Sequence, residues 1–144
     1  MKTNGDIILI EDDAEDREIL IEAFDQVMTE NNYDNRLVVI EDSSVVINYL
    51  KTTKTEPFLM LSDINMPKID GFTLKDQISR DPELSLRCAP YLFLTTSDTI
   101  DYISRAYQIS VQGYFAKPVT FSGYKKLISD ILSYWKLNKT PYNI

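Results

Sequence analysis

The residues of this chain that could do chemistry are acids placed at the ends of short apolar runs. Residues 58–61, Phe-Leu-Met-Leu, form a run of strand length that stops abruptly. Asp63 follows it, and Pro67 and Gly71 force a tight loop behind. A second run, residues 7–10, Ile-Ile-Leu-Ile, ends in Glu11-Asp12-Asp13. Open α/β sheets hold their ligands at the carboxyl ends of their strands. One acid there would ordinarily be a solvated carboxylate. Two strands that deliver carboxylates to one edge suit a hard cation, and an all-oxygen set suits Mg2+, which keeps several of its waters. A cation beside Asp63 would keep it ionised and offset the charge of an incoming phosphoryl group, so Asp63 reads as a nucleophile. Lys117 would offer a point charge to a phosphate oxygen, and Thr95 a hydroxyl donor to another. Thr95 is equally open to a helix-cap role.

Helical stripes alternate with these runs. Residues 13–29 carry Ile19, Leu20, Ala23, Phe24, Val27 and Met28 at helical spacing, with Glu15, Asp16 and Glu18 at the positive end of the helix dipole. After a strand at 37–40, Ser43 or Ser44 can cap a helix with Val46, Ile47 and Leu50 inward. Phe72, Leu74 and Ile78 mark a third helix, and residues 81–90 read as a long loop. A strand at 91–94 leads to a helix capped by Ser97 or Asp98, with Ile100, Ile103, Ala106 and Tyr107 at helical spacing. A strand at 113–116 precedes a last helix from Thr120 or Ser122, with Tyr124, Leu127, Ile128, Ile131, Leu132 and Trp135 inward. Five strands alternating with five helices predict a flavodoxin-like, doubly wound parallel sheet of three layers and strand order 2-1-3-4-5. Residues 1–137 then form one domain and residues 138–144 a tail, with Pro141 ending any continuation of the helix.

Composition narrows the function classes. The 144 residues include 15 basic and 22 acidic side chains, a net charge of −7, which argues against a nucleic-acid or anionic-membrane surface. Apolar content of 44% suffices for a folded core. The lone Cys88 forms no internal disulfide, and the N-terminus carries neither a signal-peptide core nor a membrane span, so a cytoplasmic location is expected. Histidine is absent, which removes His-based triads, His metal ligands and a phosphohistidine within the chain.

The ordered set Ile10-Glu-Asp-Asp13, Ser62-Asp-Ile-Asn-Met-Pro67 with Gly71, Leu94-Thr95 and Gly113-Tyr114-Phe-Ala-Lys117-Pro118 resembles the receiver domain of two-component response regulators. The resemblance spans about residues 6 to 135. It implies Asp63 as phosphoacceptor, and Glu11 and Asp12 as the acidic pair that positions Mg2+ with Asp63 and the backbone carbonyl of Asn65. It implies Thr95 and Lys117 as the phosphate-contacting pair and Tyr114 as the aromatic switch. It also implies a cis peptide bond at Lys117-Pro118. Asp13 stays open between a water-mediated metal contact and a solvent-facing acid, and Thr96 stands where a smaller residue is frequent.

Expected partners are a sensor histidine kinase or phosphotransfer protein and, with no residues left for an output domain, a downstream protein. The latter would be met on the face of the fourth helix, fifth strand and last helix, with Tyr102, Tyr107, Tyr114 and Lys125 as candidates; a homodimer is compatible with this. Two other functions use the same residues. An aspartate-nucleophile phosphohydrolase would want Asp-x-Asp-x-Thr after the first strand, where this chain has Glu-Asp-Asp-Ala-Glu. A flavodoxin would place its phosphate loop after that strand, where these acids repel phosphate.

Overall fold

Ile7, Ile8, Leu9 and Ile10 are all buried, because their strand runs through the middle of a sheet covered on both sides. Alternate side chains serve opposite cores, Ile8 and Ile10 one and Ile7 and Leu9 the other. The computed structural model describes residues 2–54 and 56–139. Strands β1 (Asp6–Ile10), β2 (Leu37–Ile40), β3 (Pro57–Ser62), β4 (Tyr91–Thr95) and β5 (Gly113–Ala116) pair in parallel in the order β2-β1-β3-β4-β5. The helices are α1 (Ala14–Glu30), α2 (Val46–Thr52), α3 (Gly71–Arg80), α4 (Ile100–Gln108) and α5 (Phe121–Leu137). Leu20, Phe24 and Val27 of α1 pack with Tyr124, Ile128 and Leu132 of α5 on one face. Val46, Leu50, Phe72, Leu74, Ile78 and Ala106 of α2, α3 and α4 cover the other. The expected three-layer fold and strand order are those observed.

Differences in detail have local causes. Ile19 is 37% exposed, since α1 faces the sheet along Leu20, Ala23, Phe24 and Val27. On α4 the inward stripe runs through Tyr102, Ile103, Ala106 and Ile109, which leaves Ile100 and Tyr107 on its open sides, 81% and 57% exposed. Thr99, not Ser97 or Asp98, caps α4 by accepting from the Tyr102 N–H. Asp42 caps the 3-10 turn Ser43–Val45 that leads into α2, and the Ser43 hydroxyl instead donates to the carbonyls of Pro67 (3.1 Å) and Ile69 (2.6 Å). Residues 81–90 form turns held inward by buried Leu84 and Cys88. The cis peptide bond among the described residues is Ala89–Pro90, and Lys117–Pro118 is trans, contrary to what the resemblance implied. The trans preference before proline is only about 0.5–1 kcal/mol, so the isomer is a matter of tertiary context. The tail at Pro141 lies outside the described residues.

Candidate functional site

Strand pairing carries the acids to one edge. The Glu11 N–H donates to the Ile40 carbonyl and the Asp63 N–H to the Ile10 carbonyl, so both residues continue their ladders by one step. Lys117 does the same beyond β5, its N–H donating to the Thr95 carbonyl. The result is a cluster in which one carboxylate oxygen from each of Glu11, Asp12 and Asp63 lies within 4.8 Å of the others. Lys117 Nζ reaches into it, 2.6 Å from Glu11 Oε1, 2.8 Å from Asp63 Oδ2 and 2.6 Å from Asp16 Oδ2. The remaining Asp63 oxygen, Oδ1, accepts the Ile64 N–H at 2.6 Å.

Charge at this edge is poorly balanced. Burial, with the Asp63 charge adding to it and the Lys117 contact opposing it, pushes the Glu11 carboxyl up to about 7. Burial alone would push the Lys117 ammonium down, but hydrogen bonds to Asp16, Asp63 and Glu11 outweigh it and hold Lys117 above the ordinary lysine range. One ammonium does not neutralise four carboxylates. Three converging hard oxygen donors with surplus negative charge fit a divalent cation of the Mg2+ or Mn2+ kind, and the donor set contains no soft ligand.

Several supports were not apparent in the sequence. Asp16, whose charge suits the positive end of the helix dipole, is also a direct partner of Lys117. Asp13 resolves as the N-cap of α1, accepting from the Asp16 N–H at 2.9 Å, and it is not in the carboxylate cluster. Arg17 Nη1 donates to the carbonyls of Glu11 (3.2 Å) and Asp12 (2.9 Å), while Nη2 pairs with Glu41 at 3.2 Å. This guanidinium therefore fixes the backbone that presents the acidic pair. Ser43 holds the far side of the loop after Asp63 through the two carbonyl contacts described above.

Gly71 acts by close approach. The left-handed residue in the loop is Lys68, φ 67°, and Gly71 has no positive φ. A Cβ at Gly71 would sit 2.4 Å from the Asp63 carbonyl oxygen and 2.8 Å from Ile64 Cα, both backbone atoms. Gly71→Ala is expected to displace the Asp63 backbone and to destabilise the fold by about 1–3 kcal/mol. Urea unfolding would show the loss, and a divalent-cation titration a weakened site; an unchanged affinity would mean that α3 does not set the position of Asp63.

The remaining candidates meet at Ser97. Thr95 is fully buried and its Oγ1 accepts the Ser97 N–H at 3.3 Å. The half-buried Tyr114 sets its ring edge-on to Phe93, centroids 6.2 Å apart, and its hydroxyl donates to the Ser97 carbonyl. Asn65 Nδ2 donates to Ser97 Oγ at 2.9 Å, and Asn65 Oδ1 accepts from the Tyr102 hydroxyl at 3.0 Å. The loops after Asp63 and Thr95 are thus bridged, and a serine read as a possible helix cap is the junction.

A family model described as response regulator receiver domain matches residues 7–129. The chain belongs to that family. This receiver is 30% identical over 140 residues to the protein named "Probable methanogenesis regulatory protein FilR2" of Methanothrix harundinacea, covering 94% of this chain and 86% of the relative. Its fold superposes on the phosphorylated cyanobacterial phytochrome response regulator RcpA with a TM-score of 0.83 at 27% identity, covering 94% and 97% of the two chains. The Mn2+-bound form of the response regulator Rcp1, a protein of Synechocystis sp., gives 0.78 at 28% identity, again covering 94% and 97%. Its role is that of a phosphoacceptor in signalling. Receiver domains bind a divalent metal and interact with histidine kinases or phosphotransfer proteins and with downstream targets. Among the described residues no helix is long and apolar enough to cross a membrane.

Proposed function

We propose that Asp63 accepts a phosphoryl group from a histidine kinase or phosphotransfer protein, with Mg2+ held by Glu11, Asp12, Asp63 and the backbone carbonyl of Asn65. The observation that carries this reading is the convergence of Asp63, two further carboxylates and the Lys117 ammonium at one strand edge. An Asp63 oxygen forms the bond to phosphorus, the bond from phosphorus to the donor's nitrogen or acyl oxygen breaks, and the leaving group takes that electron pair. Lys117 trades its contact with the Asp63 carboxylate for one with a phosphoryl oxygen, while Asp16 and Glu11 keep it in place. Thr95 turns its hydroxyl to another phosphoryl oxygen. The bound cation supplies positive charge for the phosphoryl oxygens. Loss of the group to water on the same residues is the chain's own dephosphorylation.

The receiver unit spans residues 1–137, works in the cytoplasm and signals by protein contact, without nucleic acid or membrane. Incubation with a small acyl phosphate and Mg2+ should add one phosphoryl mass, and chelator should prevent it. An increment that survives chelation would overturn the metal requirement.

Output is read on the face of α4, β5 and α5. A groove of about 390 Å³ lies there, lined by Tyr107, Tyr114, Phe115, Tyr134 and Trp135 among others. Lys125 does not belong to it, since it pairs with Glu30 of α1 at 2.7 Å. Thr95 and Tyr114 share Ser97, so a shift of Thr95 toward the phosphoryl group changes the position open to the Tyr114 ring, a two-state element that phosphorylation biases. The chain has one tryptophan, and Trp135 shares the groove with Tyr114. Its emission should change on phosphorylation and stay constant in Tyr114→Ala; an equal change in both proteins would remove Tyr114 from the switch.

A further inference from the structure

Tyr102 is placed to govern the residue two positions beyond the phosphoacceptor. Its ring is fixed edge-on against buried Phe72, centroids 5.3 Å apart, and Arg105 stacks over the same Phe72 ring at 4.3 Å. The phenol is therefore held in one orientation by packing, and its hydroxyl meets Asn65 Oδ1 at 3.0 Å. The other end of that carboxamide, Nδ2, donates to Ser97 Oγ at 2.9 Å. With both ends engaged, the amide plane is set from α4 and turned across the gap between the two loops that flank Asp63. We infer that Tyr102 is a positioning residue for the phosphoryl chemistry: by holding the Asn65 carboxamide against Ser97 it keeps that amide from orienting water toward an aspartyl phosphate.

The inference rests on Asp63 being the phosphoacceptor, as proposed above. In hydrolysis a water oxygen forms a bond to phosphorus, the bond from phosphorus to the Asp63 oxygen breaks, and the carboxylate departs with its electron pair. The protons of the water pass to phosphate and solvent. A carboxamide free to turn offers both a donor and an acceptor to that water, the function a glutamine side chain serves in other phosphoryl-transfer sites. Tyr102→Phe deletes the hydroxyl and keeps the ring on Phe72, so it frees the amide without opening the core.

The test uses the full chain in four forms: parent, Tyr102→Phe, Asn65→Ala and the double variant. Each is loaded with acyl phosphate and Mg2+, the donor is removed, and the decline of the phosphoryl mass is timed. Tyr102→Phe should lose its phosphoryl group about threefold faster or more, the scale of one hydrogen bond. The double variant should decay at the rate of Asn65→Ala alone, because without the carboxamide Tyr102 has nothing to hold. In the metal-free proteins the Asn65 side-chain NH2 resonances should move in Tyr102→Phe and exchange faster with water. A Tyr102→Phe decay at or below the parent rate, a Tyr102→Phe effect undiminished in the Asn65→Ala background, or unmoved Asn65 resonances would each overturn the inference. A parent that takes up no phosphoryl group would bring down the proposed function itself, a result distinct from these.

Discussion

Asp63→Asn is expected to take up no phosphoryl group from acyl phosphate and Mg2+, a loss on the order of 10³-fold or more, the scale that follows removal of a nucleophile. The substitution is nearly isosteric, and its amide oxygen can still accept the Ile64 N–H that Asp63 Oδ1 now accepts. What disappears is the anionic oxygen that would attack phosphorus and one carboxylate of the cation set. Lys117 loses one partner of three and keeps Glu11 and Asp16, so the fold and the strand edge should survive. Intact mass gives uptake, and peptide mapping of the parent gives its position. A full increment in Asp63→Asn would move the phosphoacceptor elsewhere, and the neighbouring carboxylates Glu11, Asp12 and Asp16 would be the next to replace.

The architecture was legible because its signals are local. Apolar runs of strand length, each stopped by a polar residue, place Glu11, Asp63, Thr95 and Lys117 at strand ends, and parallel pairing then puts those ends at one edge. The side-chain pairs that complete the site carry no such local mark. Asp16 lies 101 positions from Lys117, and its acidic character at a helix start already had a sufficient local explanation. Tyr102 is separated from Asn65 by 37 positions, and its spacing on α4 says which side it occupies but not what its hydroxyl meets. The same limit applies to Ile100 and Tyr107, whose helical spacing suggested burial. A helix that touches its sheet along one narrow stripe leaves the flanking apolar residues in solvent. Of the two, Tyr107 lines the groove where output contacts are proposed.

Glu11 should make the metal-free protein lose stability as pH rises from about 5 to 8, and a divalent cation should reverse the loss. Its carboxyl is pushed up from 4.5 to about 7 chiefly by burial, then by the Asp63 charge, and the fold therefore favours its protonated form. A group raised in this way contributes its full stability below its unfolded value and loses it as pH climbs through the folded value. Lys117 is also raised, but its ordinary value of 10.5 lies above this window, so its contribution stays constant across it. At about 1.4 kcal/mol for each unit, the Glu11 effect is on the order of 3 kcal/mol or less. Glu11→Gln removes the titration with little change in shape. Urea unfolding in chelator at pH 5.5, 6.5 and 8 should show the parent falling relative to this variant, with the gap closing when Mg2+ is added to the parent. Cation affinity should follow the same proton, weakening by up to about tenfold for each unit below pH 7, because the ion must displace it from Glu11. Parallel stability profiles for parent and Glu11→Gln would mean that Glu11 does not titrate in this range. The cation would then meet carboxylates that are already ionised, with no proton to displace, and its affinity would show no such proton dependence.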